Sequence, residues 1–142
     1  MTDSEQTLTW LEMLFDPDDI FEVRVKTNEQ GGAQQSWYTM KAKGRQFATT
    51  LAPIHEQNRR HVWVGVAPRD RVGSSSPTVL RALWVDLNAS ITTLAEAEAA
   101  LSRSGLPRPT MIVNSGNGFH LYWKLKQPLP GAAGPPLDAR GA

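Results

Sequence analysis

An α+β fold, built on a mainly antiparallel sheet with helices packed on one face, is what this sequence predicts. Three observations carry the prediction. "IFEVRVK" and "SWYTMKA" read as paired strands either side of a turn-rich loop. "SITTLAEAEAALSRSGLP" reads as a helix with both ends marked, and "TMIVN" and "FHLYWKL" read as two further strands around "SGNG". At 142 residues the chain is one domain's worth, long enough to bury a real core.

The first element is an amphipathic helix over about Thr7 to Phe15, from the spacing of Leu8, Leu11, Leu14 and Phe15. "DPDD" ends it, because Pro17 disfavours helical geometry at Asp16. Next, Phe21, Val23 and Val25 alternate with Glu22, Arg24 and Lys26, the pattern of a half-buried strand. "TNEQGGAQQ" is the loop to its hairpin partner "SWYTMKA". "GRQFATTLAPIHEQNRRH" suits a short helix broken near Pro53. "VWVGVAP" is an apolar strand stopped by Pro68, "RDRVGSSSPT" a loop, and "VLRALWVDLN" another β-rich run. In the next helix Thr92 or Thr93 can cap, Glu96 stands where a capping box from Thr93 places it, and Gly105 and Pro107 close it. From Gln127 onward, eleven of sixteen residues are Gly, Pro or Ala without apolar period, which predicts a disordered tail over 127–142 after a folded domain over 1–126.

Composition narrows the function classes. The absence of cysteine excludes disulfides and thiolate-ligated zinc, and suits a reducing compartment. No run approaches the ~20 apolar residues of a membrane-spanning helix, and "MTDSEQTLTW" lacks a signal-peptide pattern, so the expected location is cytoplasmic with no membrane partner. Residues 1–40 carry eight acids against two bases, whereas residues 41–71 carry seven bases against Glu56 and Asp70. The basic middle can bind a polyanion or be an ordinary solvated surface.

Two places can carry chemistry. In "LWVDLN", strand alternation puts Trp84, Asp86 and Asn88 on one face, Asp86 at the end of an apolar run. Such a carboxylate belongs at a sheet edge, in a hydrogen bond or on a cation. Two oxygen donors two residues apart can hold Mg²⁺ or Mn²⁺, and the alternative is an Asp capping the turn that follows. In "NSGNGFH", Asn117 and Gly118 form a favoured hairpin turn, and Gly116 and Gly118 can bring backbone N–H groups close to a phosphate. Beyond the turn Phe119, Leu121, Trp123 and Leu125 face the core, while His120, Tyr122 and Lys124 face outward near Ser115. The segment reads either as an anion cradle or as an ordinary hairpin, and Asp86 upstream favours the cradle. Arg69 is a phosphate contact or a solvated loop arginine. His55 and His61 have no ligand spacing, and the five tryptophans are read as core rather than as a base-stacking platform.

Taken in order, "VWVGVAPR", "LWVDLN" and "PTMIVNSGNGFHLYWKLKQPLP" resemble the catalytic core of the archaeo-eukaryotic primase superfamily, specifically its plasmid- and phage-type RepB-like primase-polymerase branch. The resemblance runs from about Trp10 to Pro130. It implies an RNA-recognition-motif-like core with an N-terminal α/β unit, and primer synthesis from nucleoside triphosphates on a single-stranded DNA template with Mg²⁺ or Mn²⁺. It leaves open a replicative helicase as partner. Carried over by position, Asp86 is the catalytic metal carboxylate and Asn88 its companion. His120 is catalytic and binds nucleotide together with Ser115, Gly116, Gly118 and Lys124, with Arg69 a further phosphate contact. Two departures weigh against activity and for an inactive, truncated remnant that only binds nucleotide or DNA. Asn88 replaces a second carboxylate, and the third acidic residue expected downstream is missing before the Gly/Pro/Ala tail.

Overall fold

The computed structural model describes residues 3–26, 32–87, 91, 93–114 and 118–130. The fold is α+β, and the chain forms two compact units. The first runs to Arg81 and takes in Pro128–Pro130; the second is Ala82–Gln127.

The first unit opens with helix α1 (Asp3–Leu14), which begins a turn earlier than the leucine spacing indicates. Strand β1 (Ile20–Lys26) is central in a sheet of order β2-β1-β3, with β2 at Gln34–Thr39 and β3 at His61–Val64. Both pairings are antiparallel. Phe21 lies opposite Tyr38, and Val23 lies opposite Ser36 on one side and Val64 on the other. The apolar face of β1 behaves as its alternation predicts, with Phe21, Val23 and Val25 all buried. Phe21 is the hub. Its ring stacks on Phe15 at 5.2 Å and meets Phe47 edge-on at 5.7 Å.

"SWYTMKA" changes state midway. Strand β2 stops at Thr39, and Met40 starts helix α2 (Met40–Gln46). The "DPDD" turn takes up that helix's first donors. The Met40 N–H donates to the Asp19 carbonyl and the Lys41 N–H to that of Pro17. Arg81 locks the turn, with Nε 2.6 Å and Nη2 3.0 Å from the two Asp19 carboxylate oxygens and Nη1 3.0 Å from Asp16. Pro53 does not break the helix that follows. A π turn (Phe47–Leu51) joins α2 to helix α3 (Ala52–Gln57), with Pro53 in the first turn of α3. Proline has no N–H and its ring crowds the carbonyl four residues back, so widening the preceding turn accommodates it without a stop.

Helix α3 ends with the Arg59 N–H on the Glu56 carbonyl and the Arg60 N–H on that of His55, with Arg59 at φ 54°. This is a Schellman closure with arginine where glycine is favoured. Arg59→Gly is therefore expected to stabilise the protein by roughly 1 kcal/mol, read as a higher thermal midpoint.

The second unit contains helix α4 (Leu94–Ser104), strand β5 (Met111–Asn114) and most of strands β4 (Val79–Leu87) and β6 (Phe119–Pro130), in a sheet of order β4-β6-β5. Of the two capping candidates, Thr93 is the one used: its hydroxyl accepts from the Glu96 N–H, and Gly105 closes the helix at φ 73°. β5 and β6 pair antiparallel, with Val113 opposite His120 and Asn114 opposite Phe119. β6 runs on to Pro130, four residues into the stretch read as tail, and residues 131–142 lie outside those described. β4 is less buried than its apolar run suggests. Leu83, Trp84 and Val85 are each more than a third exposed, on both faces of the strand.

Candidate functional site

Asp86 and His120, thirty-four positions apart, come together because β6 lies beside β4 in the sheet. His120 Nε2 is 3.3 Å from Asp86 Oδ1, with the carboxylate 71% and the imidazole 36% exposed. Asp86 thus meets one of the conditions for a carboxylate at the end of an apolar strand. It lies on an edge strand, in water, beside a nitrogen that can donate to it.

The remaining sequence-derived candidates divide. Ser115, Gly116 and Asn88 lie outside the described residues. Gly118 leads directly into β6, whose first residue is Phe119, and Lys124 is exposed on that strand, its backbone N–H donating to Thr110 Oγ1 at 2.9 Å. Tyr122 departs from the alternation. Alternation turns it outward with His120 and Lys124, yet it is buried, at 3% exposure. A tyrosine ring carries too much apolar surface to stay in water when the strand offers it cover. A cleft of about 580 Å³ between Leu94 and Glu98 of α4 and Ile112, Asn114 and Phe119 of the sheet places α4 over the face that carries Phe119. His120 points the other way along the strand.

Arg69 belongs to the first unit and is no solvated loop arginine. Its backbone bridges Ile20 and Pro77, and its side chain is only 13% exposed, 3.7 Å from Glu22. Glu22 is the residue the sequence misread. Alternation put it on the solvated face of β1, yet it is 1% exposed. The segment "RDRVGSSSPT" is the cause. It folds back over the sheet, held by the Asp70 N–H on the Ser76 carbonyl and by Trp37 Nε1 on the Ser74 carbonyl. Ser75 then donates its hydroxyl to Glu22, and Arg24 Nε donates to the other carboxylate oxygen at 2.8 Å. Burial pushes the Glu22 carboxyl up, but the Ser75 and Arg24 hydrogen bonds and the charges of Arg24 and Arg69 outweigh it and hold the pKa below its ordinary value.

The tryptophans also depart from the reading as core. None is fully buried, and Trp63 is 51% exposed with His61 stacked on it at 5.8 Å. The buried hydrophobic core draws instead on phenylalanine, leucine, valine, methionine and alanine, with Tyr122. No helix among the described residues is long and apolar enough to cross a membrane. Among them, no three His, Asp or Glu side chains converge as a metal cluster. Comparison with known protein families, with curated proteins and with solved structures returns no match.

Proposed function

We propose that this chain is a primase-polymerase-type domain of a plasmid or phage replication protein. It acts in the cytoplasm on nucleoside triphosphates and a single-stranded DNA template, with an RNA-recognition-motif-like arrangement around β4, β5 and β6. The observation that supports this reading is the Asp86–His120 pair, 3.3 Å apart on neighbouring strands, which joins the two motifs that carry the resemblance. A replicative helicase is the partner that such a domain would serve.

The donor set suits one divalent cation. Mg²⁺ keeps several waters and takes one or two carboxylates together with substrate phosphates, so an exposed Asp86 suffices for a single ion. A two-ion site needs more carboxylates than the described residues bring together. Bound there, the ion supplies neutralisation of triphosphate charge. Asp86 holds it, and His120 orients the carboxylate through Nε2; Lys124, on the same strand, adds positive charge for the phosphates.

That shortage of carboxylates favours a second reading, a domain that binds nucleotide or DNA without polymerising. Primer synthesis on single-stranded DNA, with Mg²⁺ and separately with Mn²⁺, distinguishes them. Product from the wild-type chain that falls on the order of 100-fold in Asp86→Asn supports the first. No product, but metal-dependent triphosphate binding lost in Asp86→Asn, supports the second. If Asn88→Asp then restores synthesis, the missing charge is the cause. Neither product nor binding sinks both.

A further inference from the structure

We propose that the first unit carries its own binding site, independent of Asp86 and His120, for a phosphate group attached to a flat aromatic ring, as in a nucleotide. The site is a cleft of about 620 Å³ over the polar face of β1 and β3, lined by Glu22, Arg24, Lys26, Trp63, Gly65 and Arg69 among others. That volume lies within the usual ~300–1,000 Å³ range of small-molecule sites. The inference needs only these residues and stands whether or not the chain synthesises primers.

Strand register assembles the cleft. Glu22, Arg24 and Lys26 share one face of β1 by alternation. Across the ladder, Trp63 lies opposite Arg24 and His61 opposite Lys26, so the cations and the indole occupy the same surface. Gly65 follows on, its N–H donating to the Glu22 carbonyl. Its missing side chain matters, since a Cβ there would come within 2.9 Å of Arg69 Cζ and push the guanidinium out of place.

The charges in this cleft do not cancel. Among the described lining residues, Arg24, Lys26 and Arg69 accompany a single carboxylate, that of Glu22, an excess of two positive charges. Nor does Glu22 need Arg69 as its counterion. Ser75 and Arg24 already occupy its two oxygens, whereas Arg69 stands off at 3.7 Å. Among the described residues the buried Arg69 Nε has no hydrogen-bond partner. A buried donor without an acceptor costs about 1–3 kcal/mol, and a phosphate oxygen is the acceptor that guanidinium geometry suits best. Beside it, Trp63 offers a half-exposed ring whose orientation is set by its stack on His61, a ready platform for a base.

The test is calorimetric titration of the full chain, in EDTA, with four probes: adenosine 5′-monophosphate, inorganic phosphate, adenosine, and a 5′-phosphorylated single-stranded oligonucleotide. The nucleotide is expected to bind more tightly than phosphate, adenosine to bind not at all, and affinity to fall with added salt. Trp63→Ala and Lys26→Met alter exposed or half-exposed positions and leave the core intact. Each is expected to weaken the nucleotide at least tenfold, while Asp86→Asn leaves it unchanged. Arg69→Gln is expected to abolish phosphate binding, with the thermal midpoint checking that it folds. A mononucleotide that matches the oligonucleotide marks a free-nucleotide site, and a much tighter oligonucleotide marks a strand-end site; both support the proposal. No binding in EDTA, binding lost in Asp86→Asn, or affinities unmoved by both Trp63→Ala and Lys26→Met overturn it.

Discussion

Glu22→Ala is expected to destabilise the protein by roughly 3 kcal/mol, because it removes the carboxylate 3.7 Å from the largely buried Arg69 guanidinium. Ser75 and Arg24 lose their acceptor in the same step, and the folded-back 69–77 segment loses its anchor on the sheet. The wild-type protein offers a second measure of the same interaction. The folded-state pKa of Glu22 lies below that of the unfolded chain, so its contribution is complete above the ordinary glutamate range and is lost as pH falls through the lowered value. Denaturant titrations from pH 6 down through about pH 3 are therefore expected to show falling stability below about pH 4 in the wild type. Glu22→Gln is expected to flatten that fall. Asp18 and Asp70 also have lowered pKa values, Asp18 from its Lys41 hydrogen bond and Asp70 from its Ser74 hydrogen bond. Both are solvent-facing, so added salt screens their share and leaves that of Glu22. An acid limb that is identical in Glu22→Gln and the wild type at high salt would falsify the assignment.

Phe21→Ala is expected to cost about 3–5 kcal/mol, a large part of the ~5–15 kcal/mol that holds a typical domain folded. Phe21 is fully buried and touches rings from three directions: Phe15 after α1, Tyr38 on β2 and Phe47 at the π turn. Each neighbour sits on a different element, so little collapse into the cavity is available. Equilibrium urea unfolding reads the loss as a lower midpoint, and Phe21→Leu is expected to recover about half. A loss below about 1 kcal/mol in Phe21→Ala would show that the elements do not depend on this hub.

The parts of the fold that were legible in the sequence are those in which a local rule and burial agree. The β1 apolar face, the β1–β2 hairpin, the Thr93 cap with its Glu96 partner and the Gly105 stop all rest on residues within a few positions of one another. Pro53 misled because proline's local penalty has more than one remedy, and here a widened turn absorbs it. Tyr122 and Glu22 misled for a shared reason. Alternation assigns side chains to two faces but does not say which face a distant segment will cover. A signal for Glu22 was present all the same. The serines of "RVGSSSPT" are short hydroxyl donors in a turn-rich run, able to satisfy a carboxylate that the run folds over.

By itself the sequence determined the α+β class, most of the strands, the capped helix α4 and the placement of Asp86 and His120 on strands, because period, capping and turn chemistry act within a few residues. Only the tertiary structure decided what those elements bring together. It set His120 against Asp86 through strand order, divided the chain into two compact units, and closed a loop over Glu22 so that Arg24, Lys26 and Arg69 share a cleft with Trp63. The physical reason is the same in each case. Contacts between residues tens of positions apart depend on which surfaces are buried together, and burial is a property of the whole chain's packing rather than of any one segment.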